Sequence, residues 1–191
     1  MRANIYAWWP AVQAGEVEAI VINASGCGAM RKHWGHVLRH EPAYAEKAAR
    51  ISALTKDLSE LLPALLPELA DKLAAQVKVP QQPMAYHPPC TLQHAQKLKG
   101  VVESNLTKLG FQLTTARTES HLCCGSAGTY SVLQPVLSKT LRDRKLKALD
   151  EAVAAPAAIL SANIGCIVHL QSGTDVPVRH WVEVLDEALC A

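Results

Sequence analysis

A chain of 191 residues with 49% hydrophobic and 19% charged residues can bury a core, which excludes a disordered polymer. Its formal net charge is only +2 and the basic residues are scattered, so nothing favours nucleic-acid binding. No stretch approaches the roughly 18 uninterrupted apolar residues of a membrane span, and the start, MRANIYAWWPAVQ, lacks the layout of a signal peptide.

Val17–Asn23 (VEAIVIN) is apolar and β-branched, which predicts a buried strand ending in a glycine-punctuated turn, ASGCGAM, that carries Cys27. Tyr44, Ala48, Ile51, Leu54, Leu58 and Leu61 share one face of a predicted helix over Tyr44–Leu62, which Pro63 would stop. Residues 63–83 read as a proline-containing connector with some helix around Glu68–Ala75. Met84–His87 predicts a second strand, closed by Pro88-Pro89, and Cys90 opens a helical segment to about Leu109. Phe111–Leu113 predicts a strand. The stretch HLCCGSAGTY follows, and then an amphipathic helix over Val132–Leu149. Its Val132, Val136, Leu137, Thr140, Leu141, Ala148 and Leu149 line up, and Pro135 is tolerated only in the first turn. Ala157–Ala162 predicts a strand that ends in an NIGC turn with Cys166. A short strand at Pro177–Val178 and a helix over Trp181–Leu189 close the chain.

Strands alternating with helices predict an α/β fold with parallel strands, whose ligands sit beyond the strands' carboxyl ends. There is also an internal echo: INASGCGAM resembles SANIGCIVH, each after an apolar strand, which predicts two copies of one unit.

In the reducing cytosol expected for such a chain, six cysteines are metal ligands or redox groups rather than a disulfide frame. Neighbours such as Cys123 and Cys124 bridge each other poorly, because disulfide geometry needs well-separated Cα atoms. Cys90, Cys123, Cys124 and Cys166 supply four soft donors, the usual number for an iron–sulfur cluster, and the fold must gather them from distant segments. His169, three positions after Cys166, is a further candidate ligand. Backbone N–H groups opened by Gly125-Ser126-Ala127-Gly128 before a helix would favour thiolates. Two other readings stand beside this one: cysteines buried as small hydrophobes, and a Cys₄ or Cys₃His zinc site, although its usual short paired spacings are missing. Cys190 is read as a bystander.

The pattern Cys90…Cys123-Cys124-Gly125…Cys166-x-x-His169 resembles the cysteine-rich CCG domain of heterodisulfide reductase subunits, lactate-utilisation proteins and glycolate oxidase iron–sulfur subunits. The phrases YHPPCTLQH, HLCCGSAGTYSVLQP, SANIGC and INASGCGAM look most like the glycolate oxidase branch. The resemblance implies two pseudo-repeated CCG units of short parallel strands and flanking helices: residues 1–80 as the closing part of a first, truncated repeat plus connector, and residues 81–191 as the second. It implies a cluster of the 4Fe-4S type on Cys90, Cys123, Cys124 and Cys166. The family's closing Cys-x-x-Cys here ends in His169, and Cys27 lacks its partners.

It further implies flavin-containing partner subunits with FAD, a quinone acceptor, and a cytoplasmic place, peripheral at the inner membrane. The expected role is an oxidoreductase subunit that passes electrons without touching substrate. A thiol-redox subunit of the heterodisulfide reductase kind and a zinc-stabilised scaffold are the alternatives. On this reading the chain is the C-terminal part of a longer subunit, whose incomplete first repeat leaves a strand edge uncovered and favours association.

Overall fold

The computed structural model describes residues 1–76 and 81–190. The chain divides into two compact units, Met1–Leu61 and Leu62–Ala191. The first holds α1 (Arg2–Gln13), β1 (Ile20–Ile22), α2 (Ser25–Lys32), α3 (Trp34–Val37), α4 (Ala45–Leu54) and β2 (Thr55–Asp57), then a 3₁₀ turn over Leu58–Glu60. Ile5 and Val12 of α1 bury against Trp34, Leu38, Ala48 and Ile51. β1 and β2 pair in parallel, Ile20 opposite Thr55 through Ile22 opposite Asp57.

Two expectations are corrected in this unit. The helix expected over Tyr44–Leu62 ends at Leu54, because Thr55–Asp57 pairs with β1 instead. Asp57 then caps the 3₁₀ turn: its carboxylate accepts from Ser59 N–H at 3.0 Å, and Glu60 accepts from Asp57 N–H at 2.7 Å. The ASGCGAM turn is instead the beginning of α2, so Cys27 lies on a helix. Its glycines weaken the helical reading. Tertiary contacts outweigh them, with the Arg31 guanidinium 4.4 Å from the Trp8 ring and 4.7 Å from the Trp34 ring.

The second unit runs α5 (Leu62–Gln76), β3 (Met84–Tyr86), a π turn over Thr91–Ala95, α6 (Val101–Lys108), β4 (Leu113–Thr115) and α7 (Tyr130–Leu133). It continues with α8 (Pro135–Ala152), β5 (Ile159–Ser161), α9 (Ile164–Gln171), β6 (Val178–His180) and α10 (Trp181–Cys190). The strands form one sheet in the order β4-β3-β5-β6, and every pair is parallel. The central strands β3 and β5 are buried along their whole length, as strands covered on both faces must be.

Pro63 lies at the start of α5, where its missing N–H costs nothing, so it opens a helix rather than only ending one. Of the connector expected over 63–83, residues 77–80 lie outside the described residues. The helix expected from Cys90 to Leu109 is broken where Lys97 and Gly100 take positive φ (59° and 77°), and it restarts as α6. The NIGC turn becomes the N-terminus of α9, with Cys166 its third residue.

The helix expected over Val132–Leu149 is split into α7 and α8, with Pro135 the first residue of α8 as its chemistry requires. Its inward face differs from the apolar one. Val132 and Val136 are 77% and 81% exposed, whereas Ser138, Lys145, Ala148 and Leu149 point inward. Two polar residues displace the apolar stripe because they bind the cysteine loop, as described below.

The internal echo is structural. In each unit a three-residue strand (Ile20–Ile22, Ile159–Ser161) is followed after two residues by an eight-residue helix (Ser25–Lys32, Ile164–Gln171). Cys27 and Cys166 both occupy the third helical position. Each such strand then pairs in parallel with the next strand of its unit, β2 or β6.

Candidate metal centre

Three neighbouring strands aim their carboxyl ends at one place. β3 ends at Tyr86 and leads through His87, Pro88 and Pro89 to Cys90; β4 leads into the loop bearing Cys123 and Cys124; β5 leads into α9 and Cys166. Side-chain position is thus set by sheet order rather than by sequence proximity.

The four thiols form one continuous chain of contacts. Cys90 meets Cys123, Cys123 meets Cys124, and Cys124 meets Cys166. The donor atoms of Cys124, Cys166 and His87 lie within 4.8 Å of one another, all three side chains buried. Cys90 and Cys123 are half-buried at the edge of the group. The structure thus brings the four cysteines of the second unit together. Cys27 is exposed on α2 of the first unit, and Cys190 is exposed beside Asp186.

Contacts among the sulfurs split their ionisation. The thiol of Cys124 donates to Cys166 and, with help from the His87 ring, holds it down at about 4. Cys124 and Cys90 likewise donate to Cys123 and hold it below the ordinary thiol range. Their own ionisation is pushed up, Cys90 by Cys123 and by burial, Cys124 by Cys123 and Cys166 and by burial. The shifts run in opposite directions along the row, and a cation binding there would release the protons that the raised thiols keep.

Further donors surround the sulfurs. Gly125 N–H donates to Cys123 Sγ at 3.3 Å, Ser126 Oγ lies 3.2 Å from Cys124 Sγ and 3.8 Å from Cys166 Sγ, and Asn163 Nδ2 donates to Cys166 Sγ at 3.5 Å. The helix N-terminus at this site belongs to α9 beneath Cys166; a single four-residue turn follows the glycine loop. The N-terminal field favours the Cys166 thiolate.

α8 straps the cysteine loop down. Ser138 Oγ donates to the Gly125 carbonyl at 2.7 Å, and Lys145 Nζ donates to the Glu119 carbonyl. Lys145 is buried within electrostatic reach of Cys124, Cys123 and Cys90. Its burial pulls its ionisation down, and the sulfur charges pull it back up. Gly125 has φ +96°, and a Cβ there would meet the Ser138 carbonyl oxygen at 2.3 Å. The glycine of the CCG triplet is thus required by close approach of two backbones.

His169 sits against this strap. Its Nε2 lies 3.2 Å from Ser138 Oγ and 3.3 Å from the Ser138 carbonyl. Sequence reasoning missed His87, Ser126, Asn163, Ser138 and Lys145. The phrase YHPPC carried the one usable signal, a histidine three residues before a ligand-type cysteine.

Comparison with known proteins agrees with this geometry. Across 98% of its length the chain is 50% identical to the glycolate oxidase iron-sulfur subunit of Escherichia coli, of which it covers 44%. It is 28% identical to lactate utilization protein A of Bacillus licheniformis, over 92% of this chain and 73% of that protein. It is also 28% identical to the probable glycolate oxidase iron-sulfur subunit of Bacillus subtilis, over 93% of this chain and 40% of that protein. The chain thus spans less than half the length of either glycolate oxidase relative. Residues 84–171, which hold all four gathered cysteines, match the family described as CCG, cysteine-rich domain.

Proposed function

We propose that this chain holds an iron–sulfur cluster of the 4Fe-4S type on Cys90, Cys123, Cys124 and Cys166 and serves a glycolate-oxidising complex as an electron carrier. The observation that carries the reading is the unbroken contact of four sulfurs at the carboxyl ends of three adjacent strands. The donor set fits the group: four soft sulfur donors gathered together, with the buried Lys145 alongside. When bound, such a cluster accepts and releases one electron at a time.

The chain's own residues set how readily that happens. N–H and O–H donors from Gly125, Ser126 and Asn163 stabilise negative charge on sulfur, and so favour the reduced state. Lys145 adds positive charge from below. Two relatives are named iron-sulfur subunits of glycolate oxidase, which supports membership of a glycolate-oxidising complex; in this reading FAD sits on partner subunits and this chain passes electrons onward to a quinone. In this reading the chain works in the cytoplasm, peripheral to the membrane; no described helix is long and apolar enough to cross one. The matching β1–α2 and β5–α9 units support residues 1–80 as the closing part of a first repeat and 81–191 as a second.

Anaerobic reconstitution of the full chain with ferrous iron and sulfide tests the reading. The expected product is brown, with broad visible absorption that bleaches on dithionite addition and an electron paramagnetic resonance signal that appears with it. It does not turn over glycolate by itself. A colourless chain that takes up zinc in preference to iron, or takes up no iron, overturns the proposal.

A further inference from the structure

His87 is fully buried at the end of β3, and among the described residues neither ring nitrogen is in hydrogen-bonding geometry with a nitrogen or oxygen; its electrostatic neighbour is the Cys166 sulfur. An imidazole hidden from water with unmet donor and acceptor positions is costly. The backbone leaves it no freedom to escape. His87 N–H donates to the Leu160 carbonyl at 2.8 Å and its own carbonyl accepts from Ser161 Oγ at 3.0 Å, so the residue is pinned between β3 and β5. From there a ring nitrogen reaches to within 4.8 Å of both the Cys124 and Cys166 sulfurs. Donors on one tetrahedral ion, with metal–nitrogen and metal–sulfur bonds of about 2.0 and 2.3 Å, stand roughly 3.5 Å apart. The ring nitrogen therefore stands within reach of the metal centre that the two sulfurs would hold.

We propose that His87 is itself a ligand, donating one ring nitrogen to the cluster beside Cys124 and Cys166. The other nitrogen keeps its proton, and the ring binds as neutral imidazole. This rests on the iron–sulfur reading above. It assigns the nitrogen ligand to the opposite side of the site from His169, whose Nε2 is engaged by Ser138. A neutral imidazole in the donor set removes negative charge from the centre relative to thiolate and raises its reduction potential, the effect histidine ligation has in Rieske centres.

Pulsed electron paramagnetic resonance on the full chain, reconstituted anaerobically with ferrous iron and sulfide and then reduced, tests the assignment. The reduced centre is expected to show a strong nitrogen hyperfine coupling that changes isotope when the chain is grown on ¹⁵N-histidine. The coupling is retained in His169→Gln and lost in His87→Gln. The labelled native chain and His169→Gln keep the test valid even if His87→Gln fails to fold. An iron-loaded native chain with no histidine-dependent coupling overturns the assignment and leaves the cluster reading standing. So does a coupling that disappears in His169→Gln or survives in a folded His87→Gln. Absence of iron uptake by the native chain overturns both.

Discussion

Cys124→Ser is expected to weaken iron binding more than a hundredfold while leaving the metal-free fold intact. Cys124 is the centre of the sulfur chain. It is 1% exposed, touches Cys123 on one side and Cys166 on the other, and has Ser126 Oγ at 3.2 Å. Removing a partner that only orients a metal ligand already costs about 10–100-fold in affinity, so losing a ligand costs more. Serine fills the same space, but its hydroxyl is harder and stays protonated at neutral pH, which makes it a poor replacement for thiolate toward iron. The measurement is iron retained per chain under competition from a chelator, beside circular dichroism of the metal-free protein. Native iron retention would remove Cys124 from the ligand set.

Gly125→Ala is expected to destabilise the second unit by about 3 kcal/mol or more. A side chain at positive φ costs roughly 1–2 kcal/mol, and packing an extra methyl into a filled site adds about 1–3 kcal/mol. Here the obstacle is backbone: the new Cβ would lie 2.3 Å from the Ser138 carbonyl oxygen and 3.0 Å from His169 Nε2. Relief requires moving either α8 or the loop, and the loop cannot shift without carrying Cys123 and Cys124 away from Cys90 and Cys166. Melting should therefore fall by about 6–12 °C at roughly 2–4 °C per kcal/mol for a chain of this size, and iron content should fall with it. An unchanged melting temperature would contradict the close approach between the loop and α8.

Much of this site was legible because its chemistry is carried by residue type. Four cysteines in a chain without disulfide spacing ask for one shared partner, and short runs read as strands before three of the segments put their turns at one sheet edge. The parallel α/β character followed from the same runs. What stayed hidden was every place where a polar residue faces inward. The apolar periodicity of Val132–Leu149 names a face that is largely exposed toward its N-terminal end, since Ser138 and Lys145 occupy the buried side to hold the Gly125 and Glu119 carbonyls. Sequence periodicity cannot distinguish a buried lysine with a partner from a solvated one. His87 escaped for a related reason: a lone histidine between an apolar strand and two prolines reads as core punctuation until its unmet nitrogens are seen beside two sulfurs. The Tyr44–Leu62 helix was overcalled because Leu58 and Leu61 continue the helical spacing across Thr55–Asp57, whose pairing with β1 is a non-local fact.

Two-colour thiol labelling of the iron-loaded chain tests the central claim most directly. One alkylating reagent is applied to the native protein without oxygen, and a second, isotopically distinct one after chelation and unfolding; the peptides are then read by mass spectrometry. Cys27 and Cys190, both exposed, are predicted to carry the first label, and Cys90, Cys123, Cys124 and Cys166 only the second. First-label uptake by the half-buried Cys90 or Cys123 at the rate of the metal-free chain, with iron still bound, would contradict a metal held by these four sulfurs.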